Sequence, residues 1–557
     1  MRHYILFRQV FNRFTGSIAV AALTSCSVPT AFEPVYSPNP WSDDYSAVSD
    51  IENYKQWGTY NVHDPSCKKI GDTYYMYSTD AIYFHHRPEP GDMRPEDMKP
   101  GDKRPEDMKP EDMKPEDMKP GDMKPGDMKP GDMKPDDMKP EDMKPEDMRK
   151  PPEPMGFIQV RKSKDLVNWE YVGWAFPEIP AEAVAWVKSQ AGGEGATNIW
   201  APFIMPYKDK LRLYYCVSAF GKNTSYIGLA ESASAEGPWT QVGCVVQTGK
   251  GDAMNAIDPS VIEDSKTGKW WMHYGSYFGG LFCVELNPET GLPVKEGDKG
   301  HLIARRANYA KDNLEAPDIM YNSKLGKYYL FTSYDPLMTT YNVRVARSDT
   351  PDGPFLDFYG DDIADTTNNV PILTAPYKFE GHQGWAGTGH CGIIASDGDR
   401  FFMAHQSRLC PRNEMMDLHV REVFFTSDGW PVVSPERFTG SEQRIFTEAD
   451  IAGEWEIILI KEPPLERGLE AGQVLWGEGG LQANECATSE TKKLELGGKD
   501  VSWSFNEAEQ LLTLKDGDEE TELIVFAGHD WERETETILL TGLDSKGHSV
   551  WGKKVKN

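Results

Sequence analysis

The chain has 557 residues, with 59 Lys and Arg against 88 Asp and Glu and a formal net charge of −29. Domains of about 100–200 residues put two or three of them in that length, and 39% hydrophobic with 11% aromatic residues is far too much core material for a wholly disordered chain. A charge this negative argues against nucleic acid or an anionic membrane face as the main partner, since both favour basic patches.

In chain order, residues 1–26 read as a targeting segment. Arg2, Arg8 and Arg13 precede the apolar run Ile18 to Leu23, which is too short to span a bilayer and ends in Thr24-Ser25-Cys26. Leu23-Thr24-Ser25-Cys26 resembles a bacterial lipobox, which implies an exported lipoprotein of the cell envelope tethered through acylated Cys26; an ordinary cleaved signal is the alternative. The seven other cysteines contain no C-x-x-C pair and form neither a disulfide framework nor a zinc pattern. Within an insert at 87–154, a Glu/Gly-Asp-Met-Lys-Pro pentapeptide recurs about twelve times, and a Pro at every fifth residue blocks both helix and sheet ladders. It reads as an extended, solvated arm; its Met content beside His85 and His86 raises metal binding only as a minor alternative.

Apart from the insert, one unit recurs. A Pro- or Gly-containing opening leads into an apolar strand, a polar turn and an aromatic-rich return strand. The openings are His63-Asp64-Pro65, Trp200-Ala201-Pro202, Ile257-Asp258-Pro259, Glu315-Ala316-Pro317 and, more weakly, Thr388-Gly389-His390-Cys391, spaced about 57 to 75 residues apart once the arm is subtracted. A unit of about four strands at such a period is the signature of a β-propeller blade. The expected fold is all-β: a five-bladed propeller over 27–450, followed by a small C-terminal antiparallel β domain over 451–557, where short alternating runs from Trp455 to Leu540 are separated by Gly and charged turns. That domain reads either as a carbohydrate binder or as a cover for one propeller edge.

Inner strands of a propeller start at one face, so Asp64, Asp258 and Glu315 should meet in one ring. The loop after Ser78 should emerge on the same face, which roots the arm at the rim of the cleft. Glycoside hydrolysis needs one carboxylic acid for the leaving oxygen and one carboxylate for water or carbon, and a third carboxylate nearby raises the acid by repulsion.

The segments Val62-His63-Asp64-Pro65, Ile158 to Trp169, Ile199-Trp200-Ala201-Pro202, Phe220 to Ser225, Asn255 to Pro259, Tyr274-Gly275-Ser276, Glu315-Ala316-Pro317 and Gly387 to Cys391 together resemble glycoside hydrolase family 43. Within it they resemble the endo-1,5-α-L-arabinanases with an appended β domain. The resemblance implies Asp64 as general base, Glu315 as general acid, Asp258 as the residue that tunes the acid, and inversion at the anomeric carbon. It implies Trp200, Phe220, Asn223, Asn255, Gly275 and Ser276 as substrate contacts, and His390 with waters as the holder of a calcium ion in the central channel. A packing role for Trp200 and an ion-free core role for His390 are the alternatives. Phe203 stands where many members carry Asp. The expected partner is arabinan, acted on by a monomer without an organic cofactor. Exo-action, a xylan-type substrate and a non-catalytic glycan-binding lipoprotein are the competing readings; a fructan hydrolase is disfavoured, since neither a W-M-N-D-P-N-G-like opening nor an R-D-P triplet occurs.

Overall fold

A computed structural model describes residues 43, 48, 51–81, 157–306, 312–365, 371–410, 416–463, 489–497, 501–516 and 519–556. The segment 1–26 with Cys26, the repeats of the insert with His85 and His86, and the strand expected at Val474 to Trp476 lie outside the described residues.

Polar turns close tight hairpins because single residues there take a positive φ; at the first, Gly71 has φ 64°. The first antiparallel sheet is β1 (His63–Ile70), β2 (Thr73–Thr79), β3 (Phe157–Ser163) and β4 (Glu170–Phe176), paired in chain order. The second is β5 (Trp200–Tyr207) to β8 (Thr240–Thr248), with β6 (Lys210–Ser218) and β7 (Ser225–Ser232) between. The third comprises β9 (Ser260–Glu263), β10 (Trp270–Tyr274), β11 (Leu281–Leu286) and β12 (His301–Ala304); the fourth, β13 (Leu314–Asn322), β14 (Lys327–Tyr334), β15 (Asn342–Ser348) and β16 (Ile372–Thr374). In the fifth the innermost strand is split. β17 (Trp385–Ala386) and β18 (Cys391–Ser396) both pair with β19 (Arg400–Leu409), followed by β20 (Met416–Phe425) and β21 (Pro431–Val433). The five-bladed propeller read from the sequence is the fold.

Its core is divided into layers between neighbouring blades. Tyr77 and Val160 of the first blade pack with Leu213 and Val217 of the second, and Phe203 of the second packs with Val261 and Trp270 of the third. Cys67 and Met76 of the first blade meet Ile394, Phe402 and Leu418 of the fifth, which closes the ring. Phe203 thus serves as packing, with the Lys68 ammonium 5.2 Å from its ring centre. Cys67, Cys216, Cys283 and Cys391 are free and buried, while Cys410 is disulfide-bonded, a bond that cysteine spacing does not reveal.

Two elements come as additions to the sequence reading. Helix α1 (Ala181–Ala191) lies between the first two blades and buries Ala183, Val187 and Ala191 against the second. The C-terminal sheet holds seven strands: β22 (Gly453–Ile460), β23 (Glu490–Leu496), β24 (Ser502–Asn506), β25 (Leu511–Asp516), β26 (Glu519–Asp530), β27 (Thr535–Leu543) and the unforeseen β28 (Ser549–Lys556). It docks on the fourth and fifth blades. Trp551 enters their core, Ser549 Oγ donates to Ile372 O at 2.7 Å, and Thr541 Oγ1 donates to Val433 O at 2.8 Å.

Candidate active site

Every inner strand opens on a residue in the left-handed region. φ is 53° at Asp64, 29° at Ala201, 57° at Asp258, 55° at Ala316 and 47° at His390. An L-residue there costs roughly 1–2 kcal/mol, and the chain sustains it at the same place in all five blades. Four of these kinks precede a proline, whose ring keeps the preceding residue out of the helical region. The pairing register shifts across the opening in β1, β5 and β13.

At four of the five kinks the backbone N–H is taken by a side chain of the preceding blade. Asp64 N donates to Gln406 Oε1 at 3.4 Å, Ala201 N to Thr79 Oγ1 at 2.8 Å, Ala316 N to Asp258 Oδ2 at 3.1 Å and His390 N to Ser333 Oγ at 2.8 Å. The ring is thereby stitched from blade to blade at the level of the carboxylates. Asp64 and Asp258 occupy the kink itself, whereas Glu315 and Trp200 occupy the position just before it.

The three carboxyl groups converge in one cleft of about 540 Å³, and their surroundings differ. Asp64 Oδ1 has His63 Nδ1 and His390 Nδ1 each at 2.7 Å, and its Oδ2 accepts Thr79 Oγ1 at 2.7 Å. The His63 approach acts on Asp64 more by charge than by hydrogen bonding. Burial works to raise Asp64, but the His390 and His63 charges outweigh it and hold the carboxyl well below the usual range. Asp258 and Glu315 go the other way. Burial raises both, the Glu315 and Asp64 charges add to Asp258, and the Asp64 charge adds to Glu315. Ser276 Oγ donates to Glu315 Oε2 at 2.7 Å and opposes the rise without cancelling it. The site therefore holds an ionised carboxylate, Asp64, facing a coupled pair that retains a proton, the environment-driven separation that marks an acid and a base.

Of the contacts expected from the resemblance, Trp200, Phe220, Asn255 and Ser276 line the cleft, while Asn223 and Gly275 are not among its lining residues. Phe220 is 51% exposed, with its ring edge-on to Trp200 at 6.4 Å. Asn255 Oδ1 accepts Ser225 Oγ at 2.5 Å. Asn223 instead turns its amide to Asp252 O at 2.7 Å. Gly275 contributes backbone: its φ is 135°, and a Cβ there would stand 2.6 Å from Gly280 O.

One wall is braced by Lys222 Nζ, which donates to Glu194 Oε2 at 2.5 Å and to Ala191 O at 3.0 Å. Leu337 and Met338 form the other, held by Arg408 Nε donating to Leu337 O at 3.2 Å. Ala81, where the described first blade stops before resuming at Phe157, also lines the cleft. Sequence reasoning missed His63 and Thr79. The signal for Thr79 is a hydroxyl repeated at the end of three second strands, Thr79, Ser218 and Ser333, and that for His63 is its place in the His63-Asp64-Pro65 opening.

A calcium ion at His390 can be tested against the donor set. With Nδ1 against Asp64, the ring leaves Nε2 as its one remaining donor atom, the carboxylate–histidine arrangement that commonly orients a metal-bound imidazole. Calcium favours six to eight oxygens, so the arrangement fits an ion only with water supplying most of the shell. Without a cation, burial opposes charging of His390, but Asp64, Asp258 and Glu315 raise it to about 9; its proton then provides the positive charge among the three carboxyls. Among the described residues, the one acidic cluster compact enough to hold a metal through three protein ligands is Glu436, Asp530 and Glu532. The Lys553 ammonium already sits there, 2.8 Å from Glu436 Oε1 and 2.9 Å from Asp530 Oδ1.

Comparison with known proteins agrees with this architecture. Residues 151–431 match the model of glycosyl hydrolases family 43, and residues 435–552 match that of a C-terminal lipocalin-like domain. An extracellular endo-α-(1→5)-L-arabinanase of Thermotoga petrophila is 28% identical over 72% of this chain and 90% of its own length. An extracellular exo-α-(1→5)-L-arabinofuranosidase of Cellvibrio japonicus is 33% identical over 50% of this chain and 80% of its own. The crystal structure of endo-1,5-α-L-arabinanase from Thermotoga petrophila superposes with a TM-score of 0.65 over 90% of this chain and 99% of that one at 24% identity, which establishes the common fold. The chain belongs to glycosyl hydrolase family 43.

Proposed function

We propose that the protein hydrolyses internal α-1,5-L-arabinofuranosidic bonds of arabinan with inversion at the anomeric carbon. The observation that carries the reading is the opposite displacement of the carboxyl groups in one cleft, Asp64 well below the usual range and Glu315 above it. In this reading a water between Asp64 and the anomeric carbon gives a proton to Asp64 as its oxygen attacks. The C–O bond to the leaving sugar breaks, and Glu315 gives its proton to that oxygen. Burial and the Asp64 charge favour protonated Glu315, and Asp258, coupled to it by like charge, fixes the backbone beside it through Ala316 N–H. Proton exchange with solvent then resets both groups. Trp200 and Phe220 offer ring surface to the furanose units. A calcium ion held by His390 Nε2 and water would add fixed positive charge that favours ionised Asp64. Export and tethering through Cys26 accord with a polymeric substrate outside the cell and with the extracellular relatives.

Exo-action is the second reading, favoured by the 33% identity to an exo-acting relative. A time course of product sizes from debranched linear arabinan separates the two. Mixed oligomers in the first minutes mark endo cleavage, a single short product marks exo-action, and no release by wild type overturns both.

A further inference from the structure

Tyr341, immediately before β15, is 1% exposed and has no part in the mechanism above. Its backbone is clamped on both sides. Thr388 Oγ1 donates to Tyr341 O at 3.2 Å, and the next residue, Asn342, ties down Tyr334 O, Asp335 Oδ2 and Thr340 O with one amide at 3.1, 2.8 and 3.0 Å. Its ring fills the space where residue 389 would carry a side chain; a Cβ on Gly389 would lie 2.3 Å from Tyr341 Cδ1. Gly389 is thus needed for room, and that room lets a phenol from the fourth blade reach the carboxyl ring. The hydroxyl at its tip is buried among Glu315, Asp258 and Asp64, and it stands close enough to Glu315 to act on that carboxyl as a donor while short of a fully aligned hydrogen bond. A buried O–H that meets carboxyl groups without a fully aligned bond is placed to tighten onto one when its charge develops.

We infer that Tyr341 is the positioning residue of the acid: its O–H closes onto the Glu315 carboxylate as that carboxylate forms, holding it toward the leaving oxygen. The inference rests on the hydrolase reading of the cleft. The Glu315 proton goes to the departing sugar oxygen, the Tyr341 proton stays on the phenol, and the new negative charge gains a second donor beside Ser276 Oγ. The contact favours the ionised carboxyl, the direction in which Tyr341 acts on Glu315 at rest. The other charged groups facing Glu315 are His390, which favours ionisation, and Asp64 with Asp258, which oppose it.

Tyr341→Phe keeps the ring in the Gly389 gap and removes only the oxygen. A hydrogen bond to a charged group implies a loss of kcat on linear arabinan of about 10- to 100-fold with KM within about twofold. An aryl arabinofuranoside with a good leaving group, which needs little proton donation, should lose less than about threefold. The high-pH limb of kcat/KM on arabinan should move upward. Equal losses on both substrates with an unmoved limb would mean a structural role and overturn the inference, as would no loss on either. An infrared titration of the Glu315 carboxyl band, identified by its absence in Glu315→Gln, needs no substrate. An upward shift of its midpoint in Tyr341→Phe supports the inference even if wild type fails to cleave arabinan, and an unmoved midpoint refutes it even if wild type is active.

Discussion

Asp64→Asn tests the assignment of the base most directly. Two imidazole nitrogens at 2.7 Å and a threonine hydroxyl at 2.7 Å aim this carboxylate and keep it ionised. Asparagine keeps the shape but cannot take a proton, and its NH2 must face either Thr79 or the histidines. General-base removal costs about 10²- to 10⁴-fold in kcat, or about 2.7–5.4 kcal/mol of transition-state stabilisation. KM should stay within about threefold, because Asp64 touches the attacking water and not the bound sugar. Release of reducing ends from linear arabinan at saturating substrate measures both constants. A companion variant, Asp64→Gly, exploits the kink: φ is 53° there, a conformation glycine takes without strain, so the backbone should hold while a small anion gains the vacated space. Azide should then restore turnover of an activated aryl arabinofuranoside and give the glycosyl azide of inverted configuration. An Asn variant that retains more than about a tenth of wild-type kcat, or an azide product of retained configuration, would refute the assignment.

Acid stability should follow the buried histidines of the fifth blade. Burial and then Arg421 push His405 down to about 3, and burial with Arg437 and Arg421 holds His419 well below its ordinary value. Both are neutral when folded and take up protons on unfolding below about pH 6.5, so their contribution is complete above that pH and falls at about 1.4 kcal/mol per pH unit for each group as the pH drops. Melting temperatures from pH 7 to pH 5 should decline accordingly, and a flat profile would contradict this. Lys553→Met strands Glu436, Asp530 and Glu532 without their buried cation and should destabilise the docked C-terminal sheet by about 3–5 kcal/mol, read as earlier proteolysis of that sheet in denaturant titrations. Phe220→Ala removes a half-exposed ring at the cleft wall; KM should rise about 2- to 12-fold, from about 0.5–1.5 kcal/mol of ring contact, with melting temperature unchanged.

The five openings were legible because each combines turn residues, a proline and an apolar run at a recurrent spacing, and strand pairing leaves such patterns few other places to go. Asp64, Asp258 and Glu315 could be read as one ring for the same reason. What stayed hidden depends on contacts distant in sequence. The reach of Tyr341 is set by a missing side chain at Gly389 in another blade. Strand β28 escaped notice because Lys553 and Lys554 look like exposed charges, whereas three carboxylates allow Lys553 to be fully buried. Helix α1 buries a stripe of Ala, Val and Ala too narrow to stand out. No spacing rule says that a loop will turn the Asn223 amide to Asp252 O.

The stitched kinks have a consequence for how such a site can change. Each blade sends at least one of two adjacent positions into the cleft, the left-handed residue or the one before it, and the kink that carries them recurs whichever side chain is attached. The blades bearing Asp64 and Asp258 use the first position for a carboxylate, the blade bearing Glu315 uses the second, and the blade bearing Trp200 spends its second position on an aromatic ring beside a plain Ala201. Chemistry and specificity can therefore be rewritten by exchanging side chains at fixed addresses around the ring, with no new loop and no rearranged strand.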